Sequence, residues 1–448
     1  MSGRSKSPGN RHRDQGVGNP GRRALLAGAA GAGGIAGGLA IGGQASAADT
    51  SAYAVDVVAK GADPTGARSS DAAFRAAAAE VLGSFQAGPI SGAIPKKTIL
   101  VPPGNYLLDQ PDSLLPNVNG NGGGGIVDGI AIVGYGKRLS RITYAPSAND
   151  TTLWTNNQRY KNIRISGLTF TSTNATSSFN YAYSSDTHGV QDTWYTDVEW
   201  RGAWKRGIGL DGPSPNSNLN SEMGWDHCQV GGTYSDAFLV TGMTPGVTQQ
   251  DQFLNYWFRD CKVEYTSGVF VKNRRGGSMN FIGGSYILTS TSAAGTFFQL
   301  TGEGSARSNS MMRLYAAGIR FELRSEGANQ KVIDSAWQRG NITFVSCDDT
   351  AHAHKVWAAE ANSHLYTFNG GGPMVRYQDC ALLGYHKVVT SGSTATGKVL
   401  YDGCKIMNES KASGTDTGSF FRWEGAQPAH ELRDCVINSA RAADVKRP

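Results

Sequence analysis

All six cysteines of this chain fall on one recurring sequence position, and that regularity constrains the fold more than any other feature. The pattern is an aromatic or apolar residue, two small or polar residues, a small core residue, one variable residue, then another apolar residue. The core position falls at Leu168, Val198, Cys228, Cys261, Ser285, Ile319, Cys347, Cys380, Cys404 and Cys435, at intervals of 24 to 34 residues. A repeat of this length fits coils of three short strands joined by turns, each coil burying its apolar side against the next. The segment Ile130-Ala131-Ile132-Val133-Gly134 reads as an earlier coil. Equivalent residues of successive coils lie about 4.8 Å apart, so the cysteines are expected to form an inward ladder of small side chains that tolerate apolar surroundings.

A disulfide framework is the alternative for an exported chain. Parallel neighbours in a ladder point the same way, which suits the S–S torsion badly. Free buried thiols are therefore expected. Thiol-bound metal is not, because the cysteine spacings contain no Cys-x-x-Cys pair.

The sequence pI of about 8.9 suggests a nucleic-acid partner until the charge is located. The net charge of +6 falls to +1 once residues 1–47, with six basic residues and one acid, are set aside. A near-neutral body attracts nucleic acid poorly. Residues 1–47 read as a signal peptide: a basic start ending in Arg22-Arg23, a weakly apolar run from Ala24 to Ile41, and Ala45-Ser46-Ala47 before the cleavage point. The Arg-Arg pair resembles a twin-arginine signal. No later stretch is long and apolar enough to span a membrane. The chain is thus expected to be secreted and free of the membrane after cleavage. Its 59 glycines and 17% charged residues suit turn-rich β structure.

Residues Ala52 to Asp109 carry a more specific signature. A short strand, Tyr53 to Val58, leads into Lys60-Gly61-Ala62-Asp63-Pro64-Thr65-Gly66. A helix follows over Ala72 to Val81, with Ser70 or Asp71 as its N-cap. Then comes Thr98-Ile99-Leu100-Val101-Pro102-Pro103-Gly104-Asn105-Tyr106. This order resembles the opening of the pectate-lyase-like superfamily, which includes polygalacturonases, epimerase-like proteins and tailspikes. The resemblance implies an all-β fold, a single right-handed parallel β-helix over residues 48–448, with an N-terminal cap at about 52–110 that contains the capping helix. The chain departs from the family in lacking its acidic Gly-Asp-Gly and Thr-Asp-Asp run.

The family's polygalacturonase motifs are absent, so candidate chemistry comes from the residues themselves. Second strands such as Gly207–Leu210, Ala237–Val240, Gly268–Val271 and Thr296–Leu300 are expected to stack, aligning the turns that follow. Those turns carry Asp211, Lys272, Arg274, Arg275 and Glu303. Two carboxylates at glycosidase spacing can act as acid and base or nucleophile, and Arg or Lys can hold a uronate or serve in β-elimination. The competing reading is solvated turn charge. A second cluster joins Asp186, His188, Asp192, Asp197 and Glu199 to Trp194, Tyr195, Trp200 and Trp204. Sugar stacking suits it, although Tyr195 and Val198 lie on the core pattern. His352 and His354 alternate after Asp348 and Asp349, a metal-capable spacing that more often faces solvent, and no metal site is assigned.

The expected function is an exported polysaccharide-degrading enzyme, a lyase or glycoside hydrolase. The alternative is a non-catalytic carbohydrate-binding or tailspike-like surface protein. The expected partner is a polysaccharide. No cofactor is assigned, and calcium stays open because the resembling superfamily includes calcium-dependent pectate lyases.

Overall fold

The computed structural model describes residues 52–437, apart from 85, 88–92, 95–96, 117–126, 158–159, 184–189, 212–219, 244–254, 276, 302–311, 326–328, 350–361, 383–384, 392–396 and 407–419. The signal-peptide reading, 1–47, lies outside the described residues.

Strands pair with their counterparts one coil away rather than with their sequence neighbours. A thirteen-stranded sheet forms the first face, running from Ala54–Asp56 to Ala429–Arg433. Two further ladders form the second and third faces. They fuse into one nineteen-stranded sheet because Glu199–Asp211, Gln229–Thr241 and Lys262–Asn273 run through both, with register shifts where they bend. Among the described residues every pairing is parallel except Gln86–Ala87 with Ala93–Ile94. The chain is a parallel β-helix, as the repeat and the resemblance imply. No helix among the described residues is long and apolar enough to cross a membrane.

The repeat has a backbone cause. Immediately before the core position stands a left-handed residue: Gly167, Asp197, His227, Asp260, Gly283, Gly318, Ser346, Asp379, Gly403 or Asp434, with φ between +48° and +69°. Glycine, Asp and Asn tolerate this region at least cost. The N–H of each but Asp434 continues the ladder, as when Asp197 donates to Asp226 (3.0 Å), His227 to Arg259 (3.0 Å) and Asp379 to Asp402 (2.8 Å). The turn swings the chain from the first face to the second and aims the next residue inward.

That inward column contains Leu168, Val198, Cys228, Cys261, Ile319, Cys347, Cys380, Cys404 and Cys435. Its fifth member differs from the sequence expectation. Lys262 pairs with Ser285, and Ser285 with Arg320, so Gly284 rather than Ser285 matches Cys261 and Ile319. A Cβ at Gly284 would meet the Cys261 carbonyl oxygen at 2.1 Å. All six cysteines are free; five are buried and Cys435 is partly exposed. Each buried thiol donates to a carbonyl of the preceding first-face strand, as Cys228 Sγ does to Tyr195 O (3.3 Å) and Cys404 Sγ to Tyr377 O (3.3 Å). Burial raises the Cys228 thiol well above its ordinary value.

Inside the first face an aromatic column runs along the axis. Tyr195 stacks on Trp225, Trp225 on Phe258 (centroids 4.2 Å apart, planes 1° from parallel) and Phe258 on Phe281. Such pairs contribute about 0.5–1.5 kcal/mol each beyond area burial.

The helix α1 (Asp71–Gly83) covers the opening coils with Phe74, Ala77, Ala78 and Val81. Its N-cap position is Ser70, but the Ser70 hydroxyl accepts from the Asp63 N–H (3.0 Å) instead of capping the helix. The Asp71 carboxylate reaches out of the helix and accepts the N–H groups of Asp109 (3.1 Å) and Gln110 (3.2 Å). The Pro102-Pro103-Gly104 turn sets Tyr106 beneath the helix. Its hydroxyl donates to Pro102 O (3.0 Å) and its ring meets Phe74 edge-on. Glu80 fastens the helix to both flanks through Lys60 (2.5 Å) and Lys97 (2.7 Å).

Two outcomes follow. A thiol reagent will label only Cys435 readily in the native protein and all six cysteines after denaturation; a shortfall after denaturation would show disulfides. Hydrogen bonds from Lys60 and Lys97 hold the Glu80 carboxyl at about 2, below its ordinary 4.5. A depressed carboxyl stabilises above its unfolded value and loses that contribution as pH falls through the folded one. Glu80→Gln should therefore lower Tm at neutral pH, with the deficit closing between pH 4.5 and about 2. A pH-independent deficit would refute this role.

Candidate functional site

Along the first face, side chains alternate between core and surface. One outward column reads Arg164, Trp194, Gly224, Trp257, Asn280, Tyr315. Trp194 and Trp257 stand two rungs apart, about 9.6 Å along the axis. Their ring centroids are nevertheless 5.8 Å apart, with planes 13° from parallel. Gly224 makes this stacking feasible, because a Cβ there would lie 2.2 Å from the Trp194 ring. The Arg259 guanidinium sits 5.0 Å from the centre of the Trp194 ring, a cation–π distance.

The turns that open these strands stack as well. Asn162, Asp192, Glu222 and Asn255 all adopt left-handed φ, between +52° and +60°. The Asp192 carboxylate accepts two hydrogen bonds from Arg164 (3.0 and 3.1 Å) and one from Trp194 Nε1 (2.9 Å). Glu222 accepts from Asn255 Nδ2 (2.7 Å). Asp192, Glu222, Trp194 and Trp257 line an open cleft of about 410 Å³ with Lys161, Asn162 and Gln191. Half-buried indole rings bordered by carboxylates, amides and a cation suit an amphipathic ligand with one apolar face and a rim of hydroxyls.

Of the sequence-predicted site residues, Trp194 and Asp192 belong to this cleft. Trp257 was missed; the signal was its register with Trp194 across a glycine. Trp204 does not join them. It is fully buried, stacks on Tyr144 and donates from Nε1 to Arg201 O (2.7 Å), so it cannot bind a ligand from solvent. Trp200 and Tyr195 are likewise core. Glu199 is a buried carboxylate held by Arg201 (2.8 Å) and Arg138 (3.3 Å), and Asp197 pairs with Lys137 (2.9 Å). Asp186 and His188 lie outside the described residues.

The second strands stack as expected, with Ile208, Leu239, Val271 and Phe298 in register. Of the expected catalytic set, the described residues Asp211 and Lys272 are engaged in ion pairs. Asp211 and Arg275 form an ion pair (3.1 Å) with side chains 6% and 1% exposed. Gly242 makes room for that guanidinium, since a Cβ would fall 2.4 Å from Arg275 Nε. The pair braces the turn from within. Lys272 pairs instead with Asp236 (3.0 Å), which also binds Arg206 (2.6 Å). Burial raises the Asp236 carboxyl, but these two cations outweigh it and leave it below its ordinary value. The Arg274 N–H donates to Thr241 O (3.1 Å), continuing the turn. Glu303 lies outside the described residues.

His352 and His354 also lie outside the described residues. Asp349 belongs instead to an interior group with His364 and His386, one ligand atom of each lying within 4.8 Å of the others. Burial drives the His386 imidazole well below its ordinary pKa, so it is neutral.

No family model and no curated protein matches this sequence. Several solved structures do. The tailspike gp42 of Acinetobacter phage vb_AbaP_AS12 is similar over 86% of this chain and 62% of its own length, at 8% identity and TM-score 0.48. The catalytic unit of a GH87 α-1,3-glucanase from Streptomyces thermodiastaticus matches over 90% and 71%, at 13% identity and TM-score 0.41. The A-module of the Azotobacter vinelandii mannuronan C-5 epimerase AlgE6 matches over 87% and 100%, at 12% identity and TM-score 0.38. The chain thus spans less than two thirds of the tailspike. At such identities and TM-scores nothing about chemistry transfers, and the coil architecture stands on the strand ladder itself.

The cleft makes one structural prediction. Gly224→Ala should leave the strand ladder intact but push the Trp194 and Trp257 rings apart, because the added Cβ would lie 2.2 Å from the Trp194 ring. Near-ultraviolet circular dichroism and tryptophan fluorescence would both change. Unchanged spectra would show that the rings do not depend on this glycine.

Proposed function

We propose that this chain is an exported protein that holds a polysaccharide along the first face of the β-helix. The observation that carries the reading is the Trp194–Trp257 stack, set among Asp192, Glu222, Gln191 and Lys161 in an open cleft. A pyranose offers an apolar C–H face to an indole ring while its hydroxyls need donors and acceptors at the rim. A flank of parallel strands repeats along the axis, so an extended polymer can meet several coils at once. Export is supported by the Arg22-Arg23 leader in the sequence.

Degradation is the second reading, and one observation favours it. Gln191 bridges to Ser221, which sets Asp192 and Glu222 on successive rungs. The rung spacing of about 4.8 Å is near the separation of paired carboxylates in retaining glycosidases. Arg164 Nη2 donates to both Asp192 carboxylate oxygens and Trp194 Nε1 to one of them, so Asp192 is already engaged within the protein. Recognition is therefore the main claim and cleavage the secondary one.

A panel of neutral and acidic polysaccharides, tested by calorimetry and by reducing-end release, separates the two. Binding to at least one polymer is expected. Trp257→Ala and Trp194→Ala should each weaken it about tenfold or more, that is, by about 1.4 kcal/mol. Retained affinity in the double variant, or no binding across the panel, would overturn the proposal. Release of reducing ends that Glu222→Gln abolishes would establish cleavage at this cleft.

A further inference from the structure

Near the C-terminal end of the β-helix, titratable side chains from two faces meet in the interior. On the second face the inward column runs Tyr286, Phe321, Asp349, placing a carboxylate where an aromatic ring precedes it. On the third face the column runs Val271, Phe298, Ile333, His364, His386, Phe421, placing two imidazoles between aliphatic and aromatic residues. The first face contributes Tyr377 and Tyr401, whose rings stack at 5.2 Å. All three faces therefore turn polar at the same height. Asp349, His364 and His386 are 2%, 1% and 0% exposed.

Hydrogen bonds join the polar groups of the three faces. Each imidazole is held at Nδ1 by a tyrosine hydroxyl, His364 by Tyr377 (2.8 Å) and His386 by Tyr401 (2.9 Å). His364 Nε2 faces the Asp349 carboxylate at 3.0 Å. His386 Nε2 has no hydrogen-bond partner among the described residues. An unpaired nitrogen at this depth is costly. A polar partner anchoring the far nitrogen is what a metal-bound imidazole ordinarily has.

We propose that Asp349, His364 and His386 bind a divalent first-row transition ion of the zinc class inside the coil. Two imidazole nitrogens and a carboxylate oxygen suit such an ion. Ligand atoms about 2 Å from a shared ion lie at most about 4 Å apart, so the present spacing, within 4.8 Å, closes with a small shift. The ion satisfies His386 Nε2 and offsets the carboxylate charge. It ties His364 to His386 on the neighbouring coil, stapling the last coils. The site is enclosed, so the ion enters during folding. This inference concerns the interior and is independent of the surface cleft.

The test is refolding of the full chain with Co²⁺, followed by desalting. The wild type should retain about one ion per chain, with the d–d spectrum of nitrogen and oxygen ligands and no thiolate charge-transfer band. It should also melt higher than protein refolded with chelator. His386→Phe, which continues the column toward Phe421, and the isosteric Asp349→Asn should each retain less than about a tenth of that ion. Tyr401→Phe, which keeps both ligands, should weaken binding about 10–100-fold. His227→Ala, at the surface, should bind as the wild type does. If His386→Phe does not fold, Asp349→Asn and Tyr401→Phe read the same site. Folded wild type without retained ion, a thiolate spectrum, or equal retention in Asp349→Asn would overturn the proposal.

Discussion

Parallel register is the constraint on which the rest of this molecule depends. Each strand bonds to its counterpart one coil away, so a residue's neighbours are set by position within the coil rather than by nearness in sequence. Columns follow, and columns are what sort the side chains: cysteines beside the turn, aromatic rings inside the first face, tryptophans outside it. The register is maintained by the left-handed residue before each core position, whose N–H, except at Asp434, donates to the next coil. Were that turn to gain or lose one residue, every following side chain would exchange core for surface.

Much of this was legible in the sequence because repetition survives without long-range knowledge. The cysteine column could be read since the thiols recur at a fixed place in a short pattern. Its one error, Ser285 for Gly284, came from the residue type. Glycine has no side chain to mark a core position, so the pattern settled on its neighbour. The Pro-Pro-Gly-Asn-Tyr segment was legible because the turn and the buried tyrosine beneath α1 are both local.

The sites were less legible, for two physical reasons. Burial of charge cannot be seen in a string: Asp211 and Arg275 read as turn charges, yet each neutralises the other inside, 64 residues away. Alternation alone also misleads where long strands bend. Trp204 lies next to a register shift, at Trp204/Arg206, and is buried rather than exposed. Trp257 and the pair His364 and His386 needed the register itself. Nothing near Trp257 in sequence points to Trp194, and nothing near His386 points to Asp349.

The glycine between the two tryptophans has a geometric consequence. By leaving one rung bare, it turns two separate surface residues into a mark placed at a known height on a graduated shaft. The graduations are the strands, about 4.8 Å apart, and they run straight past Asn280, Tyr315 and Thr343. A stiff polymer bound along this shaft, as proposed above, would be measured against it: subunits whose repeat keeps step with the rungs could engage coil after coil, while others would drift out of phase within a few units. Under that proposal, selectivity for repeat length would come from the backbone, before any side chain is chosen.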